Sequence, residues 1–386
     1  MRWNWQHPEW PRFRYSPALL TERENLFLRQ SGMAAGAVRH VPTDARLSLV
    51  IDLISTEALK TSEIEGELLD RASVQSSLRR QFGLQGDDQR SRPAEHGVAL
   101  MLADLYGRWQ APLDDTTLCQ WHGWLMHGRS TLRTVGGYRQ HTEPMQVVSG
   151  RLDKPKVHFE APPSSAVPAE MAQFCRWFND TGPGGVAPLP GVTRAGLAHL
   201  YFESIHPFED GNGRIGRAIA EKALAQAAGQ PSLIALSVLV HRRRKSYYAQ
   251  LEAANKTLDV DPWLAWFADL VLAAQVHTLE GVDWLIANTQ LWDRLRGRLN
   301  TRQEKALSRL MSAGVEGFVG GLSAGKYMNL TGAPAATARR DLAQLVELGA
   351  LRRTGQFKAT RYWLAHAKSA GPAAVSEQWC GAYYAV

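Results

Sequence analysis

Apolar positions along this chain recur mostly at helical spacing, and strand-like alternation is confined to two short stretches, residues 145–160 and 350–364. The longest stripe runs over residues 43–69. There Leu47, Val50, Ile51, Ile54, Ala58, Leu68 and Leu69 fall on one face of a single predicted helix. Thr61 and Glu65 fall on that same face, with Glu63 and Glu67 on the other. A carboxylate on a core-facing stripe is costly unless a cation meets it or the helix end reaches water. Two further helices are predicted close together. Residues 193–208 turn Leu197, Leu200, Tyr201 and Ile205 inward. Residues 214–229 turn Ile215, Ala218, Ile219 and Ala223 inward and end at Gly229. Residues 241–256 read as a basic helix on which Tyr248, Leu251 and Asn255 share a face.

Breaks in the pattern divide the chain. A Trp-rich opening (1–42, with Trp3, Trp5 and Trp10) precedes a helical region over 43–90. A longer helical body over 91–290 is interrupted by the Pro- and Gly-rich stretches APPSSAVP (161–168) and TGPGGVAPLPG (181–191). Residues 296–366 then run helix (301–313), short helix and turn (322–332), longer helix (333–351), basic hairpin (351–364). In the third helix Leu342, Leu345, Val346 and Leu348 point inward, Arg339 and Arg340 outward. That order is the order of a winged helix, a unit that reads DNA or serves as a dimerisation or peptide-docking module. Residues 367–386 form a low-complexity tail.

Composition narrows the class. At 386 residues, 45% apolar and 21% charged, the chain is ordinary for a soluble protein of two or three units. No apolar run approaches the length that spans a bilayer, so no membrane partner is expected. The opening MRWNWQHPEWPRFRY lacks the apolar centre of a secretory signal. Cys119, Cys175 and Cys380 lie far apart and odd in number, which argues for a reducing compartment; the expected location is the cytoplasm. A net charge of +7 permits a polyanionic partner without requiring one.

The densest chemistry is HPFEDGNGRIGR, residues 206–217. Its GxGxxG string suggests a dinucleotide fingerprint, but the preceding residues read as helix rather than strand, so that reading fails on context. As a tight loop between two helices it makes better sense. Glycines at a helix N-terminus present free N–H groups to an anion. Arg214 and Arg217, three apart, can lean over one turn and clamp a polyphosphate. Asp210 offers a hard oxygen to a divalent cation, and His206 beside the pocket can take a proton from a hydroxyl. The alternative, a capped helix hairpin around a satisfied histidine, does not account for the whole set in a single loop.

These residues resemble the Fic (Fido) signature, HxFx(D/E)GNGRxxR, at every specified position. The resemblance spans residues 43–290. It implies a mostly α fold: a Fic helical core with a short β-hairpin flap, followed here by the winged-helix-like unit. It also implies transfer of AMP from ATP to a Ser, Thr or Tyr hydroxyl of a target protein, with Mg²⁺ as cofactor. In that scheme His206 is the general base, Phe208 anchors the loop and Asp210 binds Mg²⁺. Gly211, Asn212 and Gly213 cradle the phosphates, with Asn212 near the α-phosphate. Arg214 and Arg217 hold the β- and γ-phosphates, and Ile215 and Gly216 complete the loop. Tyr247, Tyr248 and Asn255 match the positions that approach adenine and ribose. The hairpin over 136–163 would be the flap, with Val157, His158, Phe159 and Glu160 over the site. TSEIEG, residues 61–66, matches the inhibitory pattern (S/T)xxxE(G/N), carried by Thr61, Glu65 and Gly66. Glu65 would then pair with Arg217 and take the place of the γ-phosphate. Self-modification, a homodimer and DNA contact by the last unit are further expectations. The reverse reaction, removal of AMP, and a DNA-binding regulator with a vestigial loop remain open alternatives.

Overall fold

The computed structural model describes residues 2–39, 43–84, 92–151, 154–231, 234–314, 317–318 and 320–366; the tail over 367–386 lies outside them. Two compact units, 1–278 and 279–386, divide the chain.

The first unit is helical apart from one hairpin. Its elements are α1 (Thr21–Arg39), α2 (Thr43–Ile64), α3 (Arg71–Gln81), α4 (Pro93–Gly107), α5 (Asp115–Leu125), β1 (Gln146–Arg151), β2 (Lys154–Glu160), α6 (Val167–Asp180), α7 (Gly191–Ile205), α8 (Asn212–Ala228), α9 (Leu236–Arg242) and α10 (Arg244–Ala254). α11 (Asp261–Leu295) runs across the division. The pair α7–α8 is the centre. Every residue of α7 from Val192 to Ile205 is buried, so this helix has neighbours on all sides rather than one apolar stripe. Among its polar residues, Arg194 donates from NH2 to Phe178 O and Gln226 Oε1, both at 2.8 Å, and stacks 4.0 Å over the Phe178 ring.

α2 departs from its sequence pattern. It stops at Ile64 instead of reaching residue 69. Gly66 takes φ +84°; its N–H bonds Glu63 O and the Glu67 N–H bonds Ser62 O, both at 3.0 Å. This is a Schellman cap, and it requires glycine at the left-handed position. Beyond it helical geometry no longer assigns faces. Leu68 is 80% exposed rather than part of the stripe, and Glu67 turns toward the buried Arg214 rather than away from the core.

A second correction concerns α11, which by length and apolar content alone is the one helix among the described residues that could cross a membrane. Its Trp263, Leu264, Phe267 and Val271 are buried in the core of the first unit, which accounts for part of that apolarity.

The second unit holds α12 (Thr301–Met311), α13 (Ala324–Thr331), α14 (Ala335–Glu347) and the antiparallel hairpin β3 (Leu351–Thr354) and β4 (Arg361–Leu364). Leu322, before α13, forms a single antiparallel bridge with Tyr362. Leu307, Leu342, Leu345, Leu351 and Leu364 form its core. The buried Asp341 ties three helices together, accepting from Arg302 (2.9 Å) and the Tyr327 hydroxyl (3.0 Å).

Candidate active site

The loop between α7 and α8 is held in a conformation that few residues adopt unaided. His206 caps α7 at φ +51°, its N–H on Phe202 O at 2.9 Å. A non-glycine residue there needs neighbours that fix it. Arg139, almost fully buried, supplies them. Its Nε donates to the His206 carbonyl (2.8 Å), its NH2 to Ile205 O (3.3 Å) and Pro162 O (2.6 Å), and its backbone N–H to Pro207 O (2.9 Å). Phe208 is buried and stacks on His122 at 4.2 Å. The Asn212 amide closes the loop, accepting from Phe208 N (3.0 Å) and donating to Phe208 O (2.8 Å). Gly211, at φ +83°, starts α8 where a Cβ would come within 2.7 Å of Met126 Cε. The first N–H groups of α8 therefore open onto the cleft, where a helix N-terminus favours an anion.

That cleft, about 670 Å³, is lined by His206, Asp210, Gly211, Asn212, Gly213 and Arg217, by Glu65 from the end of α2, and by Tyr247, Tyr248 and Asn255. From the hairpin come Val147, Val148, Ser149, His158 and Phe159; Val157 and Glu160 are not in its wall. Nor are Arg214, Ile215 and Gly216. Ile215 belongs to the core, and Gly216 lies against Glu203, whose Oε1 would stand 2.5 Å from a Cβ at that position. On α10 the buried residues are Tyr247, Leu251 and Ala254, whereas Tyr248 is 40% exposed. The inward face is thus set by Tyr247, one position from the face read in the sequence.

Both loop arginines are already paired. Arg217 is buried; its NH2 donates to Glu65 Oε1 (2.8 Å) and Thr61 O (2.9 Å), and its Nε to Thr61 Oγ1 (2.8 Å). Burial works against its charge, and Glu65, Tyr247 and Glu203 more than offset that. Its NH1 has no partner among the described residues. Arg214, buried as well, donates from NH1 to Glu67 Oε2 (2.8 Å), and the other oxygen of Glu67 accepts from Arg129 at 2.5 Å. Gly213 leaves room for the Glu65 carboxylate: a Cβ there would meet its Oε1 at 2.4 Å.

Comparison with known proteins follows the same loop. Residues 112–224 match the family model of the Fic/DOC family. The loop thus lies inside a segment similar to Fic/DOC domains. Residues 3–84 match a second model, a domain of unknown function (DUF4172), which spans both the Trp-rich opening and α2. Proteins named protein adenylyltransferase Fic from Drosophila ananassae and Drosophila melanogaster are each 32% identical to this chain over 130 residues, 33% of this chain. That stretch is 24% of the first and 25% of the second, so the chain spans about a quarter of the curated relatives it matches. Among solved structures, a Fic family protein from Desulfovibrio desulfuricans superposes with a TM-score of 0.53 at 21% identity, over 93% of this chain and 99% of that one. A Fic domain containing signaling protein from Bacteroides thetaiotaomicron gives 0.51 at 18%, over 67% and 97%. These likenesses carry the fold.

The Fic loop has supports that helical periodicity could not identify. The flap is one: Trp5 Nε1 donates to Glu160 O (2.7 Å), Trp3 packs edge-on against Phe159, and Asn4 N donates to Asn255 O (2.8 Å). The Trp-rich opening thus pins the base of β2 and the C-cap of α10. His158 bridges Glu252 (2.8 Å) and Ser149 (2.6 Å). Tyr247 OH sits 2.8 Å from His199 Nε2. Burial, then Arg139, pushes His206 down to about 4, leaving its ring neutral. Glu203, one turn back on α7, is pushed up to about 8 by burial and Glu65 against the pull of Arg217. The sequence signal for Glu203 was an acid on a helix that proves buried on every side.

Asp210 fits a divalent cation shared with a phosphate. Its Oδ1 accepts from Gly211 N (2.6 Å) and Arg214 NH2 (3.5 Å), while Oδ2 makes no hydrogen bond among the described residues. No cluster of three or more acidic, His or Cys residues that could hold a metal occurs among the described residues. A lone carboxylate suits Mg²⁺, which keeps water and takes much of its shell from phosphate oxygens.

Proposed function

We propose that this chain is a protein AMP transferase held inactive by its own α2. The observation that carries the reading is the seat of Glu65 on Arg217, with Thr61 on the same guanidinium. A carboxylate there occupies an arginine placed to hold a terminal phosphate, and two anions cannot share it. The naming of the curated relatives as adenylyltransferases supports the forward reaction.

In the released state the cleft takes ATP, its phosphates against the N-terminus of α8 and the two arginines. Mg²⁺ on Asp210 supplies charge neutralisation for the polyphosphate when bound. His206, neutral and lining the cleft, takes the proton of a Ser, Thr or Tyr hydroxyl on a protein strand paired to the flap. The oxygen attacks the α-phosphorus in line, and the bond to pyrophosphate breaks. The flap edge, with Val148 half exposed, suits pairing with an extended segment. A His206→Ala variant that binds nucleotide but transfers no AMP is the expected result. Transfer at the native rate would remove His206 from the chemistry.

The reverse reaction uses the same atoms: Glu65 over the site would align water against an AMP-modified hydroxyl. Release of AMP from a labelled target by the native chain, but not by Glu65→Gly, would favour it.

The second unit supports DNA contact. Arg339, Arg340 and Arg353 are exposed, and Phe357 is 91% exposed at the hairpin turn, the position of an apolar wedge for a minor groove. Duplex binding that weakens with salt and on Arg339→Ala/Arg340→Ala supports this; unchanged binding opposes it.

A further inference from the structure

One turn before the loop, α7 carries a buried acid that the reaction above does not use. Glu203 lies three residues before His206 on α7, and its Oε2 stands 3.8 Å from His206 Nδ1. Two atoms of this pair are buried without a hydrogen-bond partner among the described residues: His206 Nδ1 and Glu203 Oε1. Both side chains line the cleft. An unpaired buried imidazole nitrogen leaves the tautomer of a histidine unset, and a base works only if the correct nitrogen carries the lone pair.

We propose, on the transferase reading above, that Glu203 is the positioning residue for His206: as a carboxylate it accepts the Nδ1–H and so leaves the Nε2 lone pair to the target hydroxyl. The proton balance is simple. The hydroxyl proton passes to Nε2 as the oxygen bonds to the α-phosphorus and pyrophosphate departs. The imidazolium so formed keeps its Nδ1–H on Glu203, whose negative charge offsets the new positive one. A contraction of less than 1 Å closes the present 3.8 Å gap to hydrogen-bond range.

The surroundings make this arrangement depend on what occupies Arg217. Glu203 is faced by His206 and His199 from the end and middle of α7, Arg217 from α8, Glu65 from the end of α2 and Tyr247 from α10; His206 is faced by Arg139, Glu65 and Asp210. With Glu65 in place, burial and its charge favour the protonated acid, which on closing the gap would be a donor to Nδ1 and would leave Nε2 as N–H. In that form His206 cannot act as a base. Withdrawal of Glu65 removes one of the two influences that keep Glu203 protonated. The inhibitory contact thus acts twice, on the phosphate seat and on the histidine tautomer.

The test uses the full chain carrying Glu65→Gly, assayed for AMP transfer from labelled ATP with Mg²⁺ across pH 5.5–9. An inactive Glu65→Gly chain would count against the transferase reading itself. Given activity, adding Glu203→Gln is expected to lower kcat at least tenfold, to leave KM for ATP within twofold, and to abolish the rise of kcat with pH. Unchanged kcat and pH profile overturn the proposal. A higher KM at constant kcat also overturns it, because Glu203 would then act on the phosphates through Arg217. Nitrogen-15 NMR of the imidazoles in Glu65→Gly needs no second substitution. A neutral His206 with its proton on Nδ1 is expected; a proton on Nε2 above pH 8 overturns the proposal.

Discussion

Glu67 Oε2 stands 2.8 Å from Arg214 NH1, so the loop's other arginine is paired with a carboxylate two residues after Glu65. The Schellman cap at Gly66 makes this possible, because the chain reverses immediately after α2 and brings both acids to one end of α8. If Glu67 competes with phosphate, removing Glu65 alone leaves half the block in place. Adding Glu67→Gln to Glu65→Gly is expected to tighten ATP binding by about tenfold, the scale of one charge-assisted hydrogen bond. Calorimetric titration with a non-hydrolysable ATP analogue reads this directly.

The cap itself can be tested. A Cβ on Gly66 meets nothing within 4 Å, so Gly66→Ala adds no clash and acts through its φ of +84° alone. The cost is about 1 kcal/mol, enough to loosen both acids without removing either. Partial activation, between native and Glu65→Gly, is the expected rate in an auto-labelling assay.

The docking of α2 depends on pH. Glu57, on α2, accepts from Ser237 N at 2.9 Å and lines a small cavity together with Glu221 of α8. Burial pushes Glu57 up to about 7 and Glu221 well above its ordinary value, the Glu57 charge adding to the latter. For an acid whose pKa rises on docking, the stabilisation is complete below the free value near 4.5 and is lost as pH climbs through the docked value near 7. Inhibition is therefore expected to relax between about pH 4.5 and 7. Transfer rates of native chain and Glu57→Gln, compared over that range, should show a shallower rise in the variant.

The N-terminal tryptophans should act on the flap. Trp5→Phe removes the hydrogen bond to Glu160 O while keeping an aromatic ring. Hydrogen exchange at 157–160 is expected to quicken several-fold, with the melting temperature nearly unchanged. Exchange at the native rate would leave the opening without a hold on the flap.

Much of this site could be read from the chain, because its loop packs its chemistry into twelve contiguous positions. His206, Asp210, Gly211 and Arg217 meet in one cleft, and Thr61 and Glu65 reach it from about 150 residues upstream. What periodicity missed has two causes. Glu67 was assigned to the far face by extending a helix past Gly66, where a left-handed glycine had already ended it. Arg139 acts through tertiary contacts on backbone carbonyls, which no spacing along the sequence encodes, whereas Glu203, three residues before His206, was passed over because its burial could not be read from a helix with neighbours on all sides. The hold of Trp3 and Trp5 on a strand about 155 residues away is of the same kind.

The central claim is that Glu65 shuts an otherwise competent transferase. Intact-protein mass spectrometry of native chain and Glu65→Gly, each incubated with ATP, Mg²⁺ and a pool of candidate target proteins, tests it most directly. The account predicts AMP adducts with Glu65→Gly, few or none with native chain, and none with Glu65→Gly/His206→Ala. Equal labelling by native chain and Glu65→Gly would contradict it.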